Sequence, residues 1–159
     1  MSCVWFVRST DGGKTWSEVA QKVNPEVGRT DQFNQKLAES GILGIIYYNT
    51  GTGSDRKKTN VTCQFATDSG KTWSQPPTRV TTAITDETTV EADNGNQFRD
   101  YNGLSFVKGI YFPSWTDPRD NASESIFTAM ITLKQSAAGA FEPAVVAGAG
   151  GIETQPPNR

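Results

Sequence analysis

The densest cluster of reactive side chains in this 159-residue sequence is Arg99-Asp100-Tyr101, a cation, a carboxylic acid and a phenol in a row. Histidine is absent, which removes Ser-His-Asp and Cys-His activation and His-ligated zinc from consideration. Acid–base or covalent chemistry would therefore rest on carboxylates, Tyr, Arg or Lys. Asp100 and Tyr101 are the acid and nucleophile candidates for cleavage of a glycosidic bond, where a retaining mechanism wants two such groups close together. Asp31, in Arg29-Thr30-Asp31, takes the place of Asp100 when Asp31–Leu37 is laid over Asp100–Leu104. That equivalence gives both aspartates a second reading, as loop-fixing residues that recur with each unit.

Asp117 and Arg119, in Trp115-Thr116-Asp117-Pro118-Arg119, form the sharpest polar pair. A guanidinium two positions from a carboxylate can receive an acidic sugar or hold a loop through an ion pair. Arg99, Asp117, Arg119 and Trp115 are thus the ligand-binding candidates. Trp115, with Trp5, Tyr47 and Tyr48, can stack on a sugar face or fill an interface between sheets. Asp86, Glu87, Glu91 and Asp93 make an acidic loop without the regular spacing of a calcium site, so neither metal nor other cofactor is expected.

The elements that would position these groups announce themselves by repetition. Ser9-Thr10-Asp11-Gly12-Gly13-Lys14-Thr15-Trp16 returns as Ala66-Thr67-Asp68-Ser69-Gly70-Lys71-Thr72-Trp73, with Asp11 and Asp68 standing 57 positions apart (68 − 11). A turn recurring at such a period marks an array of similar supersecondary units. Asp11 and Asp68 can accept hydrogen bonds from N–H groups just ahead. Gly13 and Gly70 supply a backbone angle that a side chain opposes. Trp16 and Trp73 open the next strand and can pack across the hairpin.

Strands surround the turns. Cys3–Arg8 and Trp16–Val23 flank the first as a hairpin, and Trp73–Val80 follows the second. Ile42–Tyr48 is a bounded apolar run of the kind buried on both faces. Val61, Cys63 and Phe65 alternate with Thr62, Gln64 and Ala66. A third unit reads Gly103–Val107, Ile110–Trp115, Ser125–Leu133 and Phe141–Val145; Gly41–Tyr48 matches Gly109–Thr116, and Thr59–Ala66 matches Ser125–Thr132. Its turn, Lys134–Gly139, has lost both Asp and Trp. Four-stranded repeats of this length suit the blades of a β-propeller.

Ser-x-Asp-x-Gly-x-Thr-Trp resembles the Asp box, or BNR repeat, of sialidases and related β-propellers, with Ala66 departing from the first position. The resemblance spans residues 3–145 and implies an all-β fold of about two and a half four-stranded antiparallel blades of a larger ring. Residues 1–146 would form this partial propeller domain and 147–159 a flexible Gly/Ala/Pro-rich tail. Ser9, Asp11, Gly13, Trp16, Asp68, Gly70 and Trp73 are its structural Asp-box residues, at the blade periphery. The family's Arg-Ile-Pro segment is not present, so no catalytic role is carried over. What the resemblance implies is a carbohydrate-directed protein without a complete catalytic set. The alternatives are an oligomeric glycan-binding module and a structural or protein-binding segment. The rest of the ring would come from a longer parent chain or from other copies.

Net charge is −2 and the cations are scattered, which argues against nucleic acid. No apolar run is long enough to cross a membrane, and the N-terminus lacks the features of a secretory signal; an extracellular or periplasmic location is implied by the resemblance alone. Cys3 and Cys63 fall on alternate faces of equivalent strands, so two unpaired thiols are expected.

Overall fold

The computed structural model describes residues 2–24, 30–51, 57–86, 102–119, 125–137 and 141–147, and within them the protein is all-β, with no helix. Eleven strands run in chain order: β1 (Trp5–Phe6), β2 (Gln21–Lys22), β3 (Gln32–Glu39), β4 (Leu43–Asn49), β5 (Lys58–Ala66), β6 (Thr78–Arg79), β7 (Thr85–Asp86), β8 (Gly103–Val107), β9 (Ile110–Asp117), β10 (Ser125–Gln135) and β11 (Phe141–Ala147). They form three antiparallel sheets. β1 and β2 pair alone, β3-β4-β5-β6 make a meander with β7 added on β5, and β8-β9-β10-β11 make a second meander.

The sequence of β4 explains why its sheet is central. Its side chains alternate between faces, yet nearly every position is apolar. Ile45 and Tyr47 enter one core with Val4, Val23, Ala66 and Trp73, against which Phe6 packs. Ile46 and Tyr48 enter another with Val61, Cys63, Phe65, Tyr111, Trp115, Phe127 and Ile131. The central sheet is therefore covered on one face by the β1-β2 hairpin and on the other by the third sheet. Burying each Tyr, Ile or Val contributes about 1.5–3 kcal/mol.

Polar contacts fix how the sheets meet. Gln64 is fully buried; it accepts from the Tyr47 hydroxyl at 2.6 Å and donates to the Val23 and Ser74 carbonyls at 3.1 and 3.0 Å. On the other face the Tyr48 hydroxyl donates to the Thr116 carbonyl at 2.9 Å, and Tyr111 to the Ile42 carbonyl at 2.5 Å. A bulge interrupts β3 between Phe33 and Lys36, with Asn34 at a φ of 54°. There the Asn34 carbonyl accepts from Asn102 at 3.1 Å, tying β3 to the start of β8.

Several sequence expectations need trimming. Of the strands beside the two turns, β1, β2 and β6 are two residues each, not six to eight, whereas β5 runs nine residues up to the second turn. β7 had no sequence signal. No sheet closes on itself among the described residues. Both cysteines are free, Cys63 deep in the second core and Cys3 half-buried.

Candidate functional site

The two repeated turns are built alike around a carboxylate. Asp11 Oδ1 accepts the Thr15 N–H at 2.9 Å and Oδ2 the Thr15 hydroxyl at 2.7 Å. Asp68 makes the same pair with Thr72, at 2.9 and 2.6 Å. Gly13 and Gly70 adopt φ of 87° and 80°, in the region that L side chains resist. These bonds favour the charged carboxylate. The Thr15 N–H and hydroxyl hold Asp11 down to about 2, and the Thr72 hydroxyl and N–H hold Asp68 below its ordinary value.

The likeness extends into the flanking strands residue by residue. Trp5 pairs with Lys22 and Phe6 with Gln21; 57 positions on, Thr62 pairs with Arg79 and Cys63 with Thr78. The Ser17 N–H donates to the Arg8 carbonyl at 2.8 Å, and that of Ser74 to the Phe65 carbonyl at 2.7 Å. Val23 N–H to Val4 carbonyl is matched by Val80 to Val61, at 3.0 and 2.8 Å. Each turn also carries the same cleft. Arg8, Thr10, Thr15, Trp16 and Ser17 line one of about 230 Å³; Phe65, Thr67, Thr72, Trp73 and Ser74, with Phe141, line the other, of about 180 Å³.

The copies differ where their sequences do. The Ser9 hydroxyl donates to Asp11 at 2.7 Å and accepts the Gly13 N–H at 2.8 Å. Ala66 has no such hydroxyl, and Asp68 instead takes the Lys71 N–H at 2.9 Å. Trp73 lies buried, edge-on to Phe6 with ring centroids 5.4 Å apart. Trp16 lines its cleft beside Arg8 and Thr10 across the hairpin and stays 59% exposed. The aromatic that covers Trp73 comes from the preceding sheet, not from its own strand.

The other candidates gather at the opposite end of the sheets. Gln32 pairs with Asn49, Asn49 with Asn60, and Ser125 with Asp117, so the start of β3 and the ends of β4 and β9 share that end. Asp31 is buried; its carboxylate accepts the Ser2 N–H at 2.7 Å, and its own N–H donates to the Thr50 hydroxyl at 2.9 Å. Asp117 is fully buried and ion-paired with Arg119, whose Nε lies 2.8 Å from it, and it also accepts the Thr85 hydroxyl at 2.9 Å. Arg119 Nη1 donates to the Thr82 hydroxyl at 2.8 Å, and the guanidinium sits 4.6 Å from the centre of the Phe127 ring. Trp115 is buried against Phe127, and among the described residues its indole N–H has no acceptor and the hydroxyls of Thr59 and Thr116 have no partner.

This end is therefore a polar lock. Asp31 fastens the N-terminus to β3, and Asp117 with Arg119 fastens β9 to the β6–β7 segment. Both carboxylates take part in these loop-holding bonds. Arg99, Asp100 and Tyr101 lie outside the described residues, as do Arg29, Glu87, Glu91 and Asp93. No group of three or more metal-ligating side chains occurs among the described residues. Sequence reasoning missed Gln64, Thr82 and Thr85, whose partners are long-range and leave no local pattern. No protein-family model, curated protein or solved structure matches the chain.

Proposed function

We propose that the chain is a segment of an Asp-box β-propeller directed at carbohydrate, without a complete catalytic set of its own. The observation that carries this reading is the pair of turns: the same carboxylate-to-Thr bonds and the same strand register, 57 positions apart, in two successive stacked sheets. Two four-stranded antiparallel meanders, β3–β6 and β8–β11, have the strand count of a blade. The carbohydrate direction comes from the likeness of the turn to the Asp box of sialidases.

A non-catalytic glycan-binding or scaffolding role is the second reading. It is favoured by Asp31 and Asp117, whose carboxylates are committed to holding loops. A fluorogenic sialoside separates the two. Turnover by the purified protein that Asp100→Asn or Tyr101→Phe abolishes supports an enzyme. Binding on a glycan array without turnover supports the lectin-like reading. Silence in both assays removes carbohydrate from the proposal and leaves a structural segment.

A further inference from the structure

Trp16 and Trp73 stand at the same place in one repeated turn, 59% and 7% exposed respectively. What buries Trp73 is the face of the β1-β2 hairpin that carries Val4 and Phe6. The opposite face of that hairpin carries Trp5 and Val7, because side chains alternate along β1. Their equivalents are Thr62 and Gln64, and Gln64 reaches the Val23 carbonyl of the preceding sheet. Trp5, Val7 and Trp16 are all exposed, Trp5 and Trp16 to 59%. This strip is thus the surface that, one repeat later in the chain, is covered by another sheet.

At the far end of the stack the third sheet leaves a second apolar face. Tyr111, Trp115, Ala129, Ile131 and Val145 face the central sheet. Their neighbours Phe112, Met130 and Val146 face away, with Met130 and Val146 directly paired and both exposed. Contiguous exposed apolar patches of this kind mark interaction surfaces.

We infer that the Trp5–Trp16 face of one chain docks on the Met130–Val146 face of a second copy, head to tail. The contact continues the face-to-face order in which the hairpin covers the central sheet and the central sheet covers the third. Two different patches meet, so the interface is heterologous and builds rings or open stacks, not a two-fold dimer. It holds whether or not the protein binds a sugar.

Sedimentation velocity between about 1 and 100 µM tests this, the range in which ordinary interfaces associate. The wild-type chain is expected above monomer mass at the upper end and to dissociate on dilution. Trp16→Lys and Met130→Lys each weaken self-association roughly 30-fold or more, as loss of a central anchor does. Each variant keeps one intact face, so a 1:1 mixture of the two recovers a species of two chains. Both residues are exposed, and near-UV circular dichroism should match wild type; Val7→Lys and Val146→Lys repeat the experiment on the same faces. A chain monomeric throughout, association that survives both substitutions, or a mixture that stays monomeric would overturn the proposal.

Discussion

Gly44 lies so close beneath the ring of Tyr111 that a Cβ there would stand 2.5 Å from Tyr111 Cε1 and 3.0 Å from Phe65 Cε1. The ring has little freedom to retreat, because its hydroxyl is held by the Ile42 carbonyl and faces Ser40 Oγ at 3.0 Å. Phe65 and Phe106 close on it from either side. Gly44→Ala should therefore destabilise the protein by about 1–3 kcal/mol through overpacking. Urea unfolding measures this, and a double-mutant cycle with Tyr111→Ala should be strongly non-additive. Additive effects would mean that the ring does not set the cost.

The two turn glycines offer an internal control. Gly13 and Gly70 share a left-handed conformation, so alanine at either carries a backbone cost of about 1–2 kcal/mol. A Cβ at Gly13 meets nothing within 4 Å among the described residues, whereas one at Gly70 would lie 2.3 Å from Phe6 Cε1. Phe6 is held in turn by Trp73. Gly70→Ala should thus exceed Gly13→Ala by about a further 1–3 kcal/mol, and Gly70→Ala with Phe6→Ala should bring the two close together. Equal costs in the wild-type background would deny contact between hairpin and second turn.

Acid should loosen both turns together. Asp11 and Asp68 titrate below the ordinary 3.8 of a carboxyl, Asp11 at about 2. A depressed folded value means that the stabilisation is whole above the unfolded value and is lost as pH falls through the folded one. Thermal midpoints should accordingly drop between roughly pH 4 and 2. The drop should shrink in Asp11→Asn with Asp68→Asn. An unchanged pH profile in that double variant would remove the turns from the acid response.

The two thiols should behave as different chemical species. Cys63 is fully buried, and desolvation pushes it up to about 12. Cys3 is half-buried near the N-terminus. A thiol reagent at neutral pH should label one cysteine per native chain, at Cys3, and the second only in denaturant. Rapid modification of Cys63 in the native protein would place it outside the core.

The parts of this structure written locally were legible in the sequence. Asp11 and Asp68 act within four residues of themselves, and the doubly buried Ile42–Tyr48 run declares its own environment through composition. Those written across the chain were not. The exposure of Trp16 depends on which sheet precedes it, although the same eight-residue motif buries Trp73. Asp117 and Arg119 were legible as a pair, but their bonds to Thr85 and Thr82, more than thirty positions earlier, were not. Asp31 offers two readings in the sequence, and its bond from the Ser2 N–H, twenty-nine positions earlier, has no local signature.

Gln64 has a consequence for how the layers sit on one another. An interface of Ile, Val and aromatic rings alone is non-directional and tolerates small slides and tilts at little cost. A buried amide does not, since its hydrogens must meet carbonyl oxygens of two separate layers while its oxygen receives a phenol. Gln64 therefore works as a key that admits one angle and one offset between hairpin and central layer. An aliphatic replacement such as Gln64→Leu could preserve packing volume and still leave that alignment undefined.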